Sequence, residues 1–109
     1  MKDHLKSSLV VLASLATLWT GTASADEGDL RRAGRELAGD LCAGCHAIAE
    51  DQRGAVVDGA PAFPALARSS LTAAQLQAAL TTPHPVMPEM PLSRRDVDAL
   101  LAYIRSFAD

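Results

Sequence analysis

Cys42-Ala43-Gly44-Cys45-His46 is the stretch on which the reading of this chain turns. Two thiols stand three positions apart, and a histidine directly follows the second. They are the only cysteines in the chain. The C-x-x-C-H spacing is the pattern of c-type haem attachment. Its chemistry explains its spacing: two thiols add across the two vinyl groups on one side of a porphyrin. The adjoining imidazole can then set a ring nitrogen beneath the iron. Three other uses of the pair are weaker. A thioredoxin-type dithiol needs a βαβ setting, and no such setting is legible here. A plain disulfide suits an exported chain but leaves His46 without a purpose. Zinc wants four ligands in tetrahedral geometry. Cys42, Cys45, His84 and His46 could be counted toward it, but one close cysteine pair is only half a zinc site.

On the N-terminal side, Leu30, Ala33, Gly34, Leu37, Ala38 and Leu41 recur at three- and four-residue spacing. That period predicts a helix from about Asp29 to Leu41 carrying a narrow stripe of small apolar residues. The acidic run Asp26 to Asp29 suits a helix start, where the dipole favours negative charge. Gly34 costs roughly 1 kcal/mol against alanine inside a helix, so close approach by another helix is expected there. Further upstream, Lys2 and Lys6 precede an apolar stretch from Leu9 to Trp19, and Ala23-Ser24-Ala25 offers a small-residue cleavage site. Residues 1–25 are therefore expected to be a signal peptide, and 26–109 the folded domain. The apolar stretch is shorter than the roughly 20 residues that span a bilayer. Cleavage and a periplasmic location are expected in place of an anchor.

On the C-terminal side, Ile48 to Pro64 has no sustained periodicity and is broken by Gly54, Gly59, Pro61 and Pro64, which reads as loop. A loop this long in a small domain is expected to cover something. Thr72-Ala73-Ala74-Gln75 is a capping-box pattern opening a short helix, which Thr82-Pro83 ends. Pro83, Pro85, Pro88 and Pro91 make the next stretch a stiff extended loop. Ser93-Arg94-Arg95-Asp96 opens another capping box. Val97, Leu100, Leu101, Ile104 and Phe107 then mark an amphipathic terminal helix. No segment shows strand alternation. The expected fold is all-α, with three to four short helices.

Composition narrows the function. The 109 residues carry a formal net charge of −3, and both lysines lie in the expected signal. There is no basic stripe for nucleic acid and no basic amphipathic face for a membrane surface. Beyond the expected cut the aromatic residues are only Phe63, Tyr103 and Phe107. A small domain with so little bulk calls for a metal, a disulfide or a large apolar cofactor to complete its interior.

The order of these features resembles a small class I (cytochrome-c-like) bacterial c-type cytochrome. They run as helix, C-x-x-C-H, Pro-containing loop, short helix, Met87-Pro88, Leu92-Ser93 and a helix ending Ala102-Tyr103-Ile104-Arg105-Ser106-Phe107. The resemblance spans about Gly34 to Phe107. It implies helices packed around one haem c, covalent through Cys42 and Cys45 and ligated by His46. It also implies that the first and last helices cross at Gly34 against Leu100, Leu101 and Tyr103. Pro61 resembles the loop proline whose carbonyl accepts a hydrogen bond from the axial histidine, although Gly59-Ala60-Pro61-Ala62-Phe63 departs from the usual Gly-Pro-x-Leu.

For the sixth ligand, Met87, Met90 and His84 all lie in the proline-rich loop. Met87-Pro88 with Leu92-Ser93 matches the family's ligand spacing. Met90 also precedes a proline but stands closer to Ser93, so core packing is expected of it, and solvent exposure of His84. His46 and Met87 are thus the expected axial pair, a combination that raises the potential relative to bis-histidine. The resemblance implies a one-electron carrier, not an enzyme. Expected partners are redox proteins that dock transiently at the haem edge over less than about 1,200 Å², with the carrier itself monomeric. Two rival readings remain: a gas sensor or peroxidase-like enzyme with a labile sixth ligand, and a dedicated cytochrome subunit of a larger dehydrogenase.

Overall fold

The computed structural model describes residues 22–52, 57–82 and 87–109. His84, Arg53 and residues 1–21 of the expected signal lie outside the described residues. Four α-helices follow in order: α1 (Thr22–Leu41), α2 (Phe63–Ala67), α3 (Ala73–Thr81) and α4 (Arg94–Arg105). A 3₁₀ turn over Ser106–Ala108 completes the last of them. Among the described residues there is no strand, so the all-α expectation holds.

Two boundaries differ from the sequence reading. Within the described residues α1 is already helical at Thr22, well ahead of the expected Asp29. Ala23, Ala25 and Glu27 are good helix formers, so nothing local stops the helix where the acidic run begins. The expected cut after Ala25 falls inside it. The second difference is α2, which starts within what reads as loop. Pro64 punctuates a loop in the sequence, but here it occupies the first turn of a helix. Proline is tolerated there because those N–H groups lack intrahelical partners anyway.

Both capping boxes form. The Thr72 hydroxyl accepts from the Gln75 N–H at 3.2 Å, and Gln75 Oε1 accepts from the Thr72 N–H at 2.8 Å. At α4, the Ser93 hydroxyl accepts from the Asp96 N–H at 3.1 Å, and an Asp96 carboxylate oxygen accepts from the Ser93 N–H at 2.8 Å. The hydrogen bond from the Ser93 backbone, and then the one from its side chain, hold the Asp96 carboxyl below its ordinary range. A carboxyl lowered in the fold stabilises it fully above the unfolded pKa of about 3.9, and that contribution is lost as pH falls through the lower folded value. Asp96→Asn is therefore expected to flatten the acid limb of the stability–pH curve below about pH 4. Thermal melts at stepwise lower pH check this, and an unchanged limb would count against the cap.

The core is built where α1 packs on α4. Ala38 on α1 and Ala99 and Leu100 on α4 are buried. Gly34 sits under α4: a Cβ there would lie 2.0 Å from the Ala99 carbonyl oxygen and 2.8 Å from Tyr103 Cβ. The close approach expected of Gly34 is present. Cys42, Phe63, Leu76, Tyr103 and Ile104 extend this cluster toward one side of the molecule, and the site opens there.

Candidate haem site

α1 ends at the motif, and the backbone curls on without extending. The Cys42 and Ala43 N–H groups both donate to the Ala38 carbonyl at 2.9 Å. The Cys42 carbonyl then accepts from the Cys45 N–H at 3.0 Å and the His46 N–H at 2.8 Å. This tight turn sets the two thiols and the imidazole at the C-terminal end of α1. Further bonds tie it to the following loop: Val57 donates to the Cys45 carbonyl at 3.3 Å, and Phe63, opening α2, donates to the Ala47 carbonyl at 2.9 Å.

Both thiols are unbridged; Cys42 is buried and Cys45 exposed. Burial, and then the neighbouring Cys45, push the Cys42 thiol above its ordinary pKa. Cys45 is thus the thiol that solvent reaches. His46 is half-buried. Its Nδ1 lies 2.7 Å from the Pro61 carbonyl oxygen. A carbonyl can only accept, so Nδ1 carries the ring hydrogen and Nε2 keeps its lone pair for a metal. The hydrogen bond that the resemblance implied for Pro61 is present, despite the altered sequence around it.

A cleft of about 520 Å³, including its open mouth, lies beside these groups. Cys42, His46, Pro61, Phe63 and Met87 line it, with Leu66, Leu71, Leu76, Leu80 and Ile104 supplying apolar surface from three helices and a connecting loop. Of the groups singled out in the sequence, Cys42, His46 and Met87 meet in this cleft. Cys45 is exposed and is not part of the lining.

Met90 does not take the core position expected of it. It is half-buried and lines a smaller neighbouring hollow of about 290 Å³ with Thr81, Thr82 and Glu89, and Met87 borders that hollow too. The Leu92 N–H donates to the Met90 carbonyl at 2.8 Å. Among the described residues no three His, Cys, Asp or Glu side chains converge as metal ligands, so a tetrahedral zinc centre has no donor set there.

The sequence reading did not single out Phe63, Leu71 or Leu80 as site residues. Phe63 is buried, and its ring lies tilted beside that of His46, with centroids 5.7 Å apart. The one local signal for it is the Phe-Pro pair, whose proline suits a first helical turn.

The donor set fits a haem c. An apolar cleft, two unbridged thiols, an imidazole with Nε2 available and a thioether are the groups such a macrocycle and its iron require. Over residues 29–104 the chain matches the family described as cytochrome c oxidase, cbb3-type, subunit III. It is similar to cytochrome c-552 of Bradyrhizobium diazoefficiens, 38% identical over 107 residues that cover 97% of each chain. No solved structure matches the chain. With a match that takes in the C-x-x-C-H motif, the residues lining the cleft and nearly all of α4, this chain belongs to the cytochrome c domain family of cbb3-type oxidase subunit III, which implies a haem c.

Proposed function

We propose that the chain is a one-electron carrier of the periplasm, exported by a signal peptide of residues 1–25, with His46 and Met87 as axial ligands. One observation supports this most: His46, with its Nε2 available, and Met87 line one apolar cleft together with Cys42. Haem c, when bound, supplies a one-electron ferric/ferrous couple. The chain's own residues do the rest. Cys42 and Cys45 supply the thioether sulfurs that tether the group. Pro61 holds the imidazole in one tautomer, and Met87 supplies a soft neutral sulfur that favours the reduced state. The apolar walls exclude water, which lowers the local dielectric and also favours the form of lower charge. None of these roles needs a general acid or base. Electron exchange with partners would be transient, through contacts of less than about 1,200 Å².

The family's description favours a second reading, in which the chain serves as a dedicated subunit of a larger oxidoreductase. A subunit should co-purify with its complex at high salt, whereas a shuttle should fall away.

The visible spectrum of exported protein, oxidised and reduced, with and without carbon monoxide, tests the carrier. Expected are a c-type reduced spectrum, a weak far-red methionine–iron band in the oxidised form and no response to carbon monoxide. A rapid response would indicate an open or labile sixth position, and the carrier would give way to a sensor or peroxidase-like enzyme.

A further inference from the structure

The Nδ1 contact of His46 with the Pro61 carbonyl at 2.7 Å fixes one point of the imidazole. The ring is also anchored through its Cβ–Cγ bond, so this hydrogen bond restrains its rotation. A carbonyl accepts over a broad range of angles, and packing against the ring can narrow the range that remains. The Phe63 ring stands 5.7 Å from the His46 ring and is tilted to it by 51°. Phe63 is only 3% exposed. Behind it lies Tyr103, edge-on at 6.3 Å and 62°.

Each aromatic residue of this pair also grips the backbone just after His46. The Phe63 N–H donates to the Ala47 carbonyl at 2.9 Å, and the Tyr103 hydroxyl donates to the Ile48 carbonyl at 2.6 Å. Three consecutive residues are thus held by one aromatic pair: His46 through its ring, Ala47 and Ile48 through their carbonyls. Aromatic pairs favour offset-stacked or edge-to-face arrangements, so a buried aromatic neighbour restricts the tilt of the imidazole. An aliphatic side chain of similar volume would fill the space without imposing that angle.

We propose that Phe63 is a positioning residue that sets the plane of the His46 imidazole, with Tyr103 as its backstop. This rests on the reading of His46 as an iron ligand. The plane of an axial imidazole controls how unpaired spin is distributed over the group it ligates. The proposal is therefore readable without any assay of electron transfer.

The experiment uses the exported holoprotein in its ferric form. It reads the spread of the porphyrin methyl resonances by proton NMR and the g-anisotropy by frozen-solution EPR. Phe63→Leu is expected to change the methyl spread and broaden the EPR signal. Phe63→Tyr, which keeps the ring, is expected to preserve the wild-type pattern. Val97→Ala removes buried volume from α4 at a side chain that does not line the cleft, and should lower the melting temperature without altering the pattern. If Phe63→Leu does not accumulate, Phe63→Met serves in its place, as a flexible filler without a ring. An unchanged pattern in Phe63→Leu, or an equal change in Val97→Ala, would overturn the positioning role alone. A wild-type protein without a histidine-ligated low-spin signal would overturn that role together with the ligand assignment beneath it.

Discussion

Gly34→Ala is expected to lower the melting temperature of the exported holoprotein by about 10–20 °C, from an overpacking cost of about 3 kcal/mol in a domain of this size. The atoms that would meet the new methyl decide the size of the effect. A Cβ on Gly34 would lie 2.0 Å from the Ala99 oxygen and 2.6 Å from the Ala99 carbonyl carbon, both backbone atoms of α4. Backbone in a hydrogen-bonded helix cannot rotate out of the way as a side chain can, so α1 and α4 must part. Parting them loosens Ala38, Leu100 and Ile104, all fully or nearly fully buried along the same crossing. The opposing gain in helix propensity is about 1 kcal/mol, too small to offset the clash. Gly39 provides the matched comparison. It lies on the same helix with nothing within 4 Å of its built Cβ, so Gly39→Ala should raise stability slightly. Equal melting temperatures for the two variants would show that the helices do not cross at Gly34.

The second large effect is expected at Met87. Met87→Ala should abolish the far-red methionine–iron band, lower the reduction potential and open the reduced protein to carbon monoxide. Met90→Ala should leave all three unchanged. Both methionines precede prolines in the same loop, so local sequence separates them poorly. Their surroundings differ. Met87 lines the apolar cleft that also holds His46 and Cys42, whereas Met90 lines the neighbouring hollow beside Thr81, Thr82 and Glu89. The reverse outcome, with the band lost in Met90→Ala and kept in Met87→Ala, would transfer the ligand role to Met90.

Short-range chemistry is legible in the order of residues alone. The two capping boxes can be read because a cap is a contact between residues three apart, and both form as written. The amphipathic stripe of α4 is equally plain, since its period follows from helix geometry. Boundaries set by weak local preferences are less legible. Nothing in the acidic run ahead of Asp29 forbids helix, and α1 extends through it. Pro64 is compatible with loop or with a first helical turn, and only packing of Phe63 into the core selects the latter.

The spacing of the two thiols and the histidine, the helical class of the fold and the demand for a close crossing at Gly34 are all written in the chain. Each follows from residues that are adjacent or spaced by one helical period. Which groups share the cleft is settled by packing over long range. Packing brings Met87 to the same walls as His46, leaves Met90 in the next hollow and sets Phe63 and Tyr103 behind the imidazole. The hydroxyl of Tyr103 reaches the carbonyl of Ile48 across a separation of 55 residues. Contacts at that range depend on how α1 and α4 seat against each other, and no local period records that.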